Sequence, residues 1–355
     1  MPYKQNNIDF VIPWVDGNDK EWLEEKKKYI PSNKILNTNS RFIDWDNLQY
    51  IFRAFEEFTP WVNKIYFITY GHLPKWLNIN HPKLVIVKHE DFIDKKYLPL
   101  FNVNPLEINL HRIKGLSEKF VYFNDDFFIL KPIKPDVFFK NNLPLDFAIL
   151  DSIHDGSISH MLLNNIDIIN KNFNRHIKPE YEKKKLVFKN FFKWFYPLYG
   201  KEIIQTIACM FIKKGHTGFV GNHHPQPFLK STFEILWEKE EKKLLEVSSS
   251  KFRTNEDVTQ YLFRYWQLVS GNFIPLNYID YKKTRKYIEI RTLKDSYNVN
   301  KDIKSKKYTF YCINDDISKG RYTKEDMSHR DFELSKRLIK EALNTILPKK
   351  SKFEI

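Results

Sequence analysis

Short apolar runs recur along the first 150 residues, each closed by a cluster of turn-forming residues. IDFVIPW (8–14) is the pattern of a buried strand, and it breaks at VDGND, where Asp16-Gly17 is a turn signal. NKIYFITY (63–70), KLVIVKH (83–89), KFVYFN (119–124) and LDFAIL (145–150) read as further strands. Between them the period changes to that of a helix. Asp46 stands at an N-cap position, with Gln49 three residues on and Leu48, Ile51, Phe52 and Phe55 along one face. Pro105 in a first turn and Gly115 near an end predict a helix over 105–116. Strand–helix–strand alternation of this kind predicts a largely parallel sheet in an α/β layer fold.

The pattern changes after about residue 155. Segments 159–172, 227–246, 255–268 and 331–346 have helical spacing, and KKYTFYCIN (306–314) is a late strand expected to return to the first sheet. The expected organisation is an α/β half over 1–155, a mainly helical insertion over 156–300, and a strand plus helix over 301–355.

Composition narrows the class. The chain has 355 residues, 42% apolar and 16% aromatic, which is ample for a core and excludes intrinsic disorder. Two cysteines exclude a disulfide framework or a cysteine-rich zinc site and fit a reducing cytoplasm. Lysines interrupt even the most aromatic stretch, VFKNFFKWFYPLY (187–199), and no apolar run approaches the ~18 residues of a membrane span. Asp9 precedes any run suited to a signal peptide, so the expectation is a cytoplasmic protein, soluble or peripheral. The formal charge of +14 suits an anionic lipid surface, a phosphorylated substrate or nucleic acid. Its lysines are scattered rather than clustered, which weighs against nucleic acid as a partner.

Two strands end alike. VYFNDDFFI closes on Asn124-Asp125-Asp126, and YCINDDIS closes on Asn314-Asp315-Asp316. In open α/β sheets the ligand crevice lies outside the carboxyl ends of strands, and paired carboxylates there suit Mg²⁺ or Mn²⁺ held with a diphosphate. Asp and Asn also end strands simply because they make turns. On the predicted 105–116 helix, Glu107 and His111 fall at i and i+4 with Arg112 alongside, either an acid/base pair or a surface ion pair. His223 and His224 lie in the loop GNHHPQP, which lacks the partner pattern of a zinc site. Arg253 precedes a helix predicted from about Asn255, where it could clamp a phosphate or pair with Glu256 or Asp257. The chain carries no Walker A, GxGxxG or GxSxG pattern.

Long stretches of the chain resemble one family. IDFVIPWVDGNDKEW, RFIDWDNLQYIFRAFEEFTPWVNKIYFITYGHLPKWL and LPLFNVNPLEINLHRIKGLSEKFVYFNDDFFI are similar to the first two regions of the Stealth family. HHPQPF…KFRTNEDVTQYLF (223–263) resembles its third region and YCINDD (311–316) its fourth. The family includes bacterial capsular-polysaccharide hexose-1-phosphotransferases and the animal lysosomal-enzyme GlcNAc-1-phosphotransferase. The resemblance implies a Rossmann-like, GT-A-related core sheet with a helical insertion. It implies transfer of a hexose- or N-acetylhexosamine-1-phosphate from a UDP-sugar to a glycan hydroxyl, with release of UMP.

The family's functional residues fall on Glu107, Asp126, His223 and Arg253. Asp126 with Asp315 and Asp316 would hold Mg²⁺ or Mn²⁺, and Trp14, Asp16, Gly17, Arg41, Asp44, Arg112 and Asn124 are the candidates for holding the donor. His223 is preferred to Glu107 as the base. Asp16 stands where some members have Asn, and the chain lacks the large insertions of animal members, which favours a bacterial capsular or exopolysaccharide acceptor. The expected setting is the cytoplasm, with peripheral contact at the inner face of the plasma membrane. A GT-A glycosyltransferase releasing UDP and a non-catalytic glycan- or nucleic-acid-binding protein are the alternatives.

Overall fold

The computed structural model describes residues 7–30, 45–211, 215–221, 223–315 and 327–355. Its first half contains β1 (Ile8–Trp14), α1 (Lys20–Tyr29), α2 (Leu48–Phe58), β2 (Ile65–Thr69), β3 (Leu84–Lys88), α3 (Val103–Ile108) and β4 (Lys119–Tyr122). The short strand β5 (Phe127–Ile129) and the hairpin of β6 (Phe139–Lys140) and β7 (Leu143–Asp146) follow. The middle of the chain forms α4 (Ser159–Asn172), α5 (Lys183–Lys189), α6 (Phe191–Trp194), α7 (Glu202–Phe211), β8 (Gln226–Leu229), α8 (Lys230–Ser248) and α9 (Tyr261–Ser270). The last part forms β9 (Ile274–Pro275), α10 (Tyr278–Thr284), β10 (Arg285–Ile290), α11 (Leu293–Lys304), β11 (Phe310–Asp315) and α12 (His329–Ile346).

The main sheet has the order β3-β2-β1-β4-β8, parallel except for β8, which runs antiparallel to β4 with Tyr122 opposite Gln226. The 3-2-1-4 order is that of doubly wound α/β sheets, as expected from the alternation of elements. Successive residues of a strand face opposite sides, and both sides are covered. Val11, Tyr66, Ile68, Phe120 and Tyr122 enter one core with α3, α4, α8 and α9. Phe10, Ile12, Ile65, Phe67 and Val121 enter the other with α2, α11 and α12. This double burial is why the strands read as continuous apolar runs rather than as alternating ones.

Residues 350–355 are built into the first half. Arg53 on α2 donates from Nε and Nη2 to the Glu354 carboxylate, both at 2.8 Å, and from Nη1 to the Leu347 carbonyl at 2.9 Å. Leu77 and Glu354 form a β-bridge, and the Ile355 amide donates to the Trp76 carbonyl at 2.9 Å.

Several local expectations need correction. β11 does not join the main sheet; it pairs with β10 in parallel and with β5 antiparallel, Cys312 opposite Phe127, because β8 already occupies the open edge of β4. Strands β8 and β10 therefore interrupt the expected helical stretch 156–300. The helix expected over 105–116 ends at Ile108 and is followed by a 3₁₀ turn, Leu110–Arg112. The Asn109 amide side chain takes the Pro105 carbonyl at 2.8 Å, the acceptor that its own backbone N–H would need to continue the helix. Asp46 is not the cap of α2: it has φ 51°, Asn47 takes that position, and its carboxylate pairs with Lys340 on α12. The helix expected from about Asn255 begins at Tyr261, because Asp257 accepts from Asn102 (2.8 Å), Asn104 (2.9 Å) and Thr254 (2.9 Å) and holds the preceding residues in a turn.

Candidate active site

The parallel strands β1 and β4 end side by side, and β8 begins beside the end of β4, so three loops meet at the carboxyl edge of the main sheet. One carries Asn124-Asp125-Asp126 and another carries His223. The second sheet, of order β10-β11-β5, places Cys312 opposite Phe127 and brings β11 against the same point. Here His223 Nε2 lies 3.8 Å from Asp126 Oδ2, and the Cys312 thiol donates to that same oxygen at 3.3 Å. The Ile313 amide donates to the Asp126 carbonyl at 3.0 Å, which fixes the backbone of the loop. The rings of Phe127 and Tyr287 stand edge-on to His223, both with centroids at 5.2 Å. His223 is thus held by two rings and a carboxylate while 39% of its side chain stays exposed, as a group that must meet a substrate requires.

Glu107 forms the second part of the site. Its carboxylate accepts from the Tyr122 hydroxyl at 3.0 Å and from the Gln260 amide at 3.1 Å, and it is buried. Burial raises its pKa, opposed by those two hydrogen bonds and by the positive charge of Arg253. Burial likewise lowers the pKa of Arg253, with Glu107 and then Asp257 opposing that shift. Among the described residues the Arg253 guanidinium has no hydrogen-bond or ion-pair partner. A largely buried cation that is balanced only at a distance is poised to receive an anion.

Comparison with known proteins identifies the family. Residues 6–34 match the model of Stealth protein CR1, conserved region 1, and residues 41–145 match that of Stealth protein CR2, conserved region 2. The chain is 41% identical over 352 residues to a capsular polysaccharide phosphotransferase WcwK of Streptococcus pneumoniae, with 98% of each chain covered. It is 37% identical to the receptor polysaccharide phosphotransferase WefC of Streptococcus gordonii, covering 98% of this chain and 99% of that one. It is 34% identical to the exopolysaccharide phosphotransferase cps2G of Lactiplantibacillus plantarum, covering 98% and 96%. The chain belongs to the Stealth family. A solved galactosyltransferase, LgtC in complex with donor and acceptor sugar analogs, aligns over 92% of this chain and 95% of that one at 8% identity, with a TM-score of 0.37. That likeness is too slight to add to what the sheet order shows.

The structure of this Stealth chain sorts the remaining residues singled out from the sequence. Trp14 ends β1 and stacks on Phe67 with centroids 5.7 Å apart, and the Asp16 amide donates to His72 Nε2 at 2.8 Å. Both, with Gly17, follow the carboxyl end of β1 and so border the same crevice as Asn124. His111 and Arg112 do not: the break after Ile108 turns His111 against Trp237 (5.6 Å) and lays Arg112 over the Trp237 ring at 4.3 Å. Glu107 and His111 are therefore no acid/base pair. Arg253 lies in irregular backbone just ahead of a turn, not at a helix N-terminus. Arg41, Asp44 and Asp316 lie outside the described residues, as does the side chain of Asp315.

Other residues of the site went unrecognised in the sequence. Cys312 touches Asp126, and burial raises its thiol pKa well above the ordinary value, so it remains an S–H donor. The Tyr287 hydroxyl donates to Glu289 at 2.7 Å and accepts from Asn314 at 2.9 Å, so the Asn of the second Asn-Asp-Asp motif braces the ring packed on His223. Arg285, two residues earlier on the same face of β10, lies over the rings of Tyr281 (4.3 Å) and Phe310 (4.6 Å), and its Nε has no hydrogen-bond partner among the described residues. His224 points inward; burial and then the charge of Arg285 lower its pKa to about 3.

Proposed function

We propose that the protein transfers a hexose- or N-acetylhexosamine-1-phosphate from a UDP-sugar to a hydroxyl of a capsular or exopolysaccharide acceptor. The observation that carries this reading is the half-buried His223–Asp126 pair at the carboxyl edge of the main sheet, with the charges of Arg253 and His223 both acting on the buried Glu107 carboxylate. Phosphoryl transfer demands positioning and charge neutralisation more than covalent help. The acceptor oxygen forms a bond to the sugar-bearing phosphorus, and the phosphoanhydride bond to UMP breaks. His223 takes the acceptor proton, with Asp126 stabilising the imidazolium that forms. Arg253 meets the charge on the transferred phosphoryl oxygens. Glu107 has both oxygens engaged, which favours His223 over it as the base, and its charge balances Arg253 from a distance. The bond from the anomeric carbon to its oxygen is never broken, so anomeric configuration is kept.

The carboxylate chemistry of Asp126 suits a hard divalent cation, and its Oδ1 is buried with no partner among the described residues. Asp126, with Asp315 and Asp316, would hold Mg²⁺ or Mn²⁺. Such an ion, when bound, supplies charge neutralisation of the diphosphate.

The released nucleotide tests the reaction. A panel of UDP-sugars with acceptor oligosaccharides should yield UMP and a phosphodiester seen by ³¹P NMR. Release of UDP with a glycosidic product would establish the glycosyltransferase alternative instead. Among the described residues no helix is long and apolar enough to cross a membrane. The charge of +14 supports peripheral contact with the anionic inner face of the plasma membrane.

A further inference from the structure

Helices α5, α6 and α7 turn an apolar face to solvent. Phe188, Phe191, Phe192, Ile204, Ile207 and Phe211 are all exposed, Phe192 to 84% and Phe211 to 69%. They are contiguous. Phe191 lies 6.3 Å from Phe188 and 5.5 Å from Phe192 between ring centroids, and Ile204, Ile207 and Phe211 follow helical spacing along one side of α7. Lys184 joins the two groups, its ammonium 4.7 Å from the centre of the Phe211 ring. Buried Lys183 ties α5 to the end of α7 through the carbonyls of Cys209 (2.8 Å) and Gly215 (2.7 Å), so the face is fixed by internal contacts.

Charge decides what this face fits. Residues 183–211 contain six lysines and a single acidic residue, Glu202, which is itself paired with Lys282 at 2.6 Å. Lys184, Lys185, Lys189 and Lys201 are exposed among the apolar residues. The cores of protein–protein interfaces are depleted of lysine, and two copies of this face would repel each other. Interleaved phenylalanine and lysine is instead the pattern of a helix lying in a bilayer interface, rings among the acyl-chain ends and ammonium groups at the phosphates.

We propose that the α5–α7 face docks on an anionic bilayer, inserting Phe188, Phe191, Phe192 and Phe211 while the exposed lysines between them meet the lipid phosphates. This deepens the peripheral-membrane part of the preceding proposal and is independent of the transfer chemistry.

The test is flotation of the full chain with phosphatidylcholine vesicles with and without phosphatidylglycerol, at low and high salt. Wild type should bind only the anionic vesicles and keep part of that binding at high salt. Phe191→Ser with Phe192→Ser should weaken binding by at least about ten-fold and remove the salt-resistant part. Lys184→Glu with Lys185→Glu should weaken it comparably, while Lys294→Glu with Lys301→Glu, an equal charge change on exposed positions of α11, should not. An unchanged thermal midpoint shows that the variants are folded. If the phenylalanine variant binds like wild type, or the α11 variant falls as far as the α5 variant, the face is wrong while general electrostatic attraction stands. If wild type ignores anionic vesicles, both readings fail. If light scattering finds a dimer that Phe192→Ser dissociates, the occupant is a second copy and the lipid assignment is overturned.

Discussion

Arg264 holds Asp146 in a fully buried two-point ion pair, with Nε and Nη2 donating at 2.8 Å and 2.9 Å. The remaining nitrogen donates to the Val220 carbonyl at 2.9 Å, three residues ahead of His223, and Gln226 just beyond that loop also donates to Asp146 at 3.1 Å. One carboxylate thus fastens β7, α9 and both ends of the loop that presents His223. Breaking such a pair strands a buried charge. Arg264→Met should cost about 3–5 kcal/mol in denaturant unfolding. Turnover should also fall in the fraction that remains folded, because the loop loses its anchor.

His223 and Asp126 should separate kinetically from Arg253. His223→Ala should lower kcat by roughly 10²–10⁴ and leave UDP-sugar affinity by calorimetry within a few fold. Arg253→Ala should raise donor KM and lower kcat together, and Arg253→Lys should not restore either, since a point charge does not replace a planar fork. A His223→Ala enzyme with near-normal turnover would remove the assigned base.

Metal dependence follows from the unpartnered Asp126 oxygen. Chelation with EDTA should abolish turnover, and Mg²⁺ or Mn²⁺ should restore it. Asp126→Asn should lose at least about 10²-fold in kcat, the scale of one transition-state electrostatic group. Full activity in metal-free buffer would exclude the assignment.

Acid should destabilise the fold through its buried and half-buried histidines. Burial lowers His111, His216 and His224 to about 3 and His89 to about 4 from an ordinary 6.5. The folded state therefore keeps them neutral where the unfolded chain binds protons. Their contribution is complete above pH 6.5 and is lost as pH falls toward the folded values, about 1.4 kcal/mol per pH unit for each group. The urea midpoint should fall steadily from pH 7 to pH 5. His224→Gln should make that fall shallower by about one proton, while its turnover at pH 7 stays close to wild type.

Glu107 adds a pH effect on activity. Its pKa is raised by burial, so protonation on acidification begins above the usual carboxylate range and removes the charge facing Arg253. Activity should fall as pH drops through that value, and Glu107→Gln should flatten this acid limb of the kcat/KM profile while lowering its plateau.

The main sheet was legible because each of its parallel strands is buried on both faces, so the chain carries unbroken apolar runs such as Phe10-Val11-Ile12. The second sheet was not. RKYIEI of β10 alternates charge with apolar groups, and its place is set by pairing with β11 across intervening α11. Arg285, Tyr287 and Cys312 enter the site from that sheet, so no local pattern announced them. His223 was legible as one of two loop histidines, yet its difference from His224 is purely tertiary: Asp126 and two ring edges meet one, while Arg285 and burial surround the other. The failure at residues 109–112 has a single cause, an Asn side chain that captured a backbone acceptor.

The Arg53–Glu354 contact spans 301 positions of sequence. On a ribosome, a domain ordinarily folds once its own residues have emerged, the amino-terminal one first. Here α2 and the Trp76–Leu77 segment are completed by residues far later in the chain, so the first strands of the main sheet must wait, with Phe353 absent from its place against Phe52, until that segment has been made. The nascent chain therefore exposes an unfinished apolar edge while the intervening residues are made, and chaperone depletion should lower its yield more than that of a protein whose first domain closes on itself.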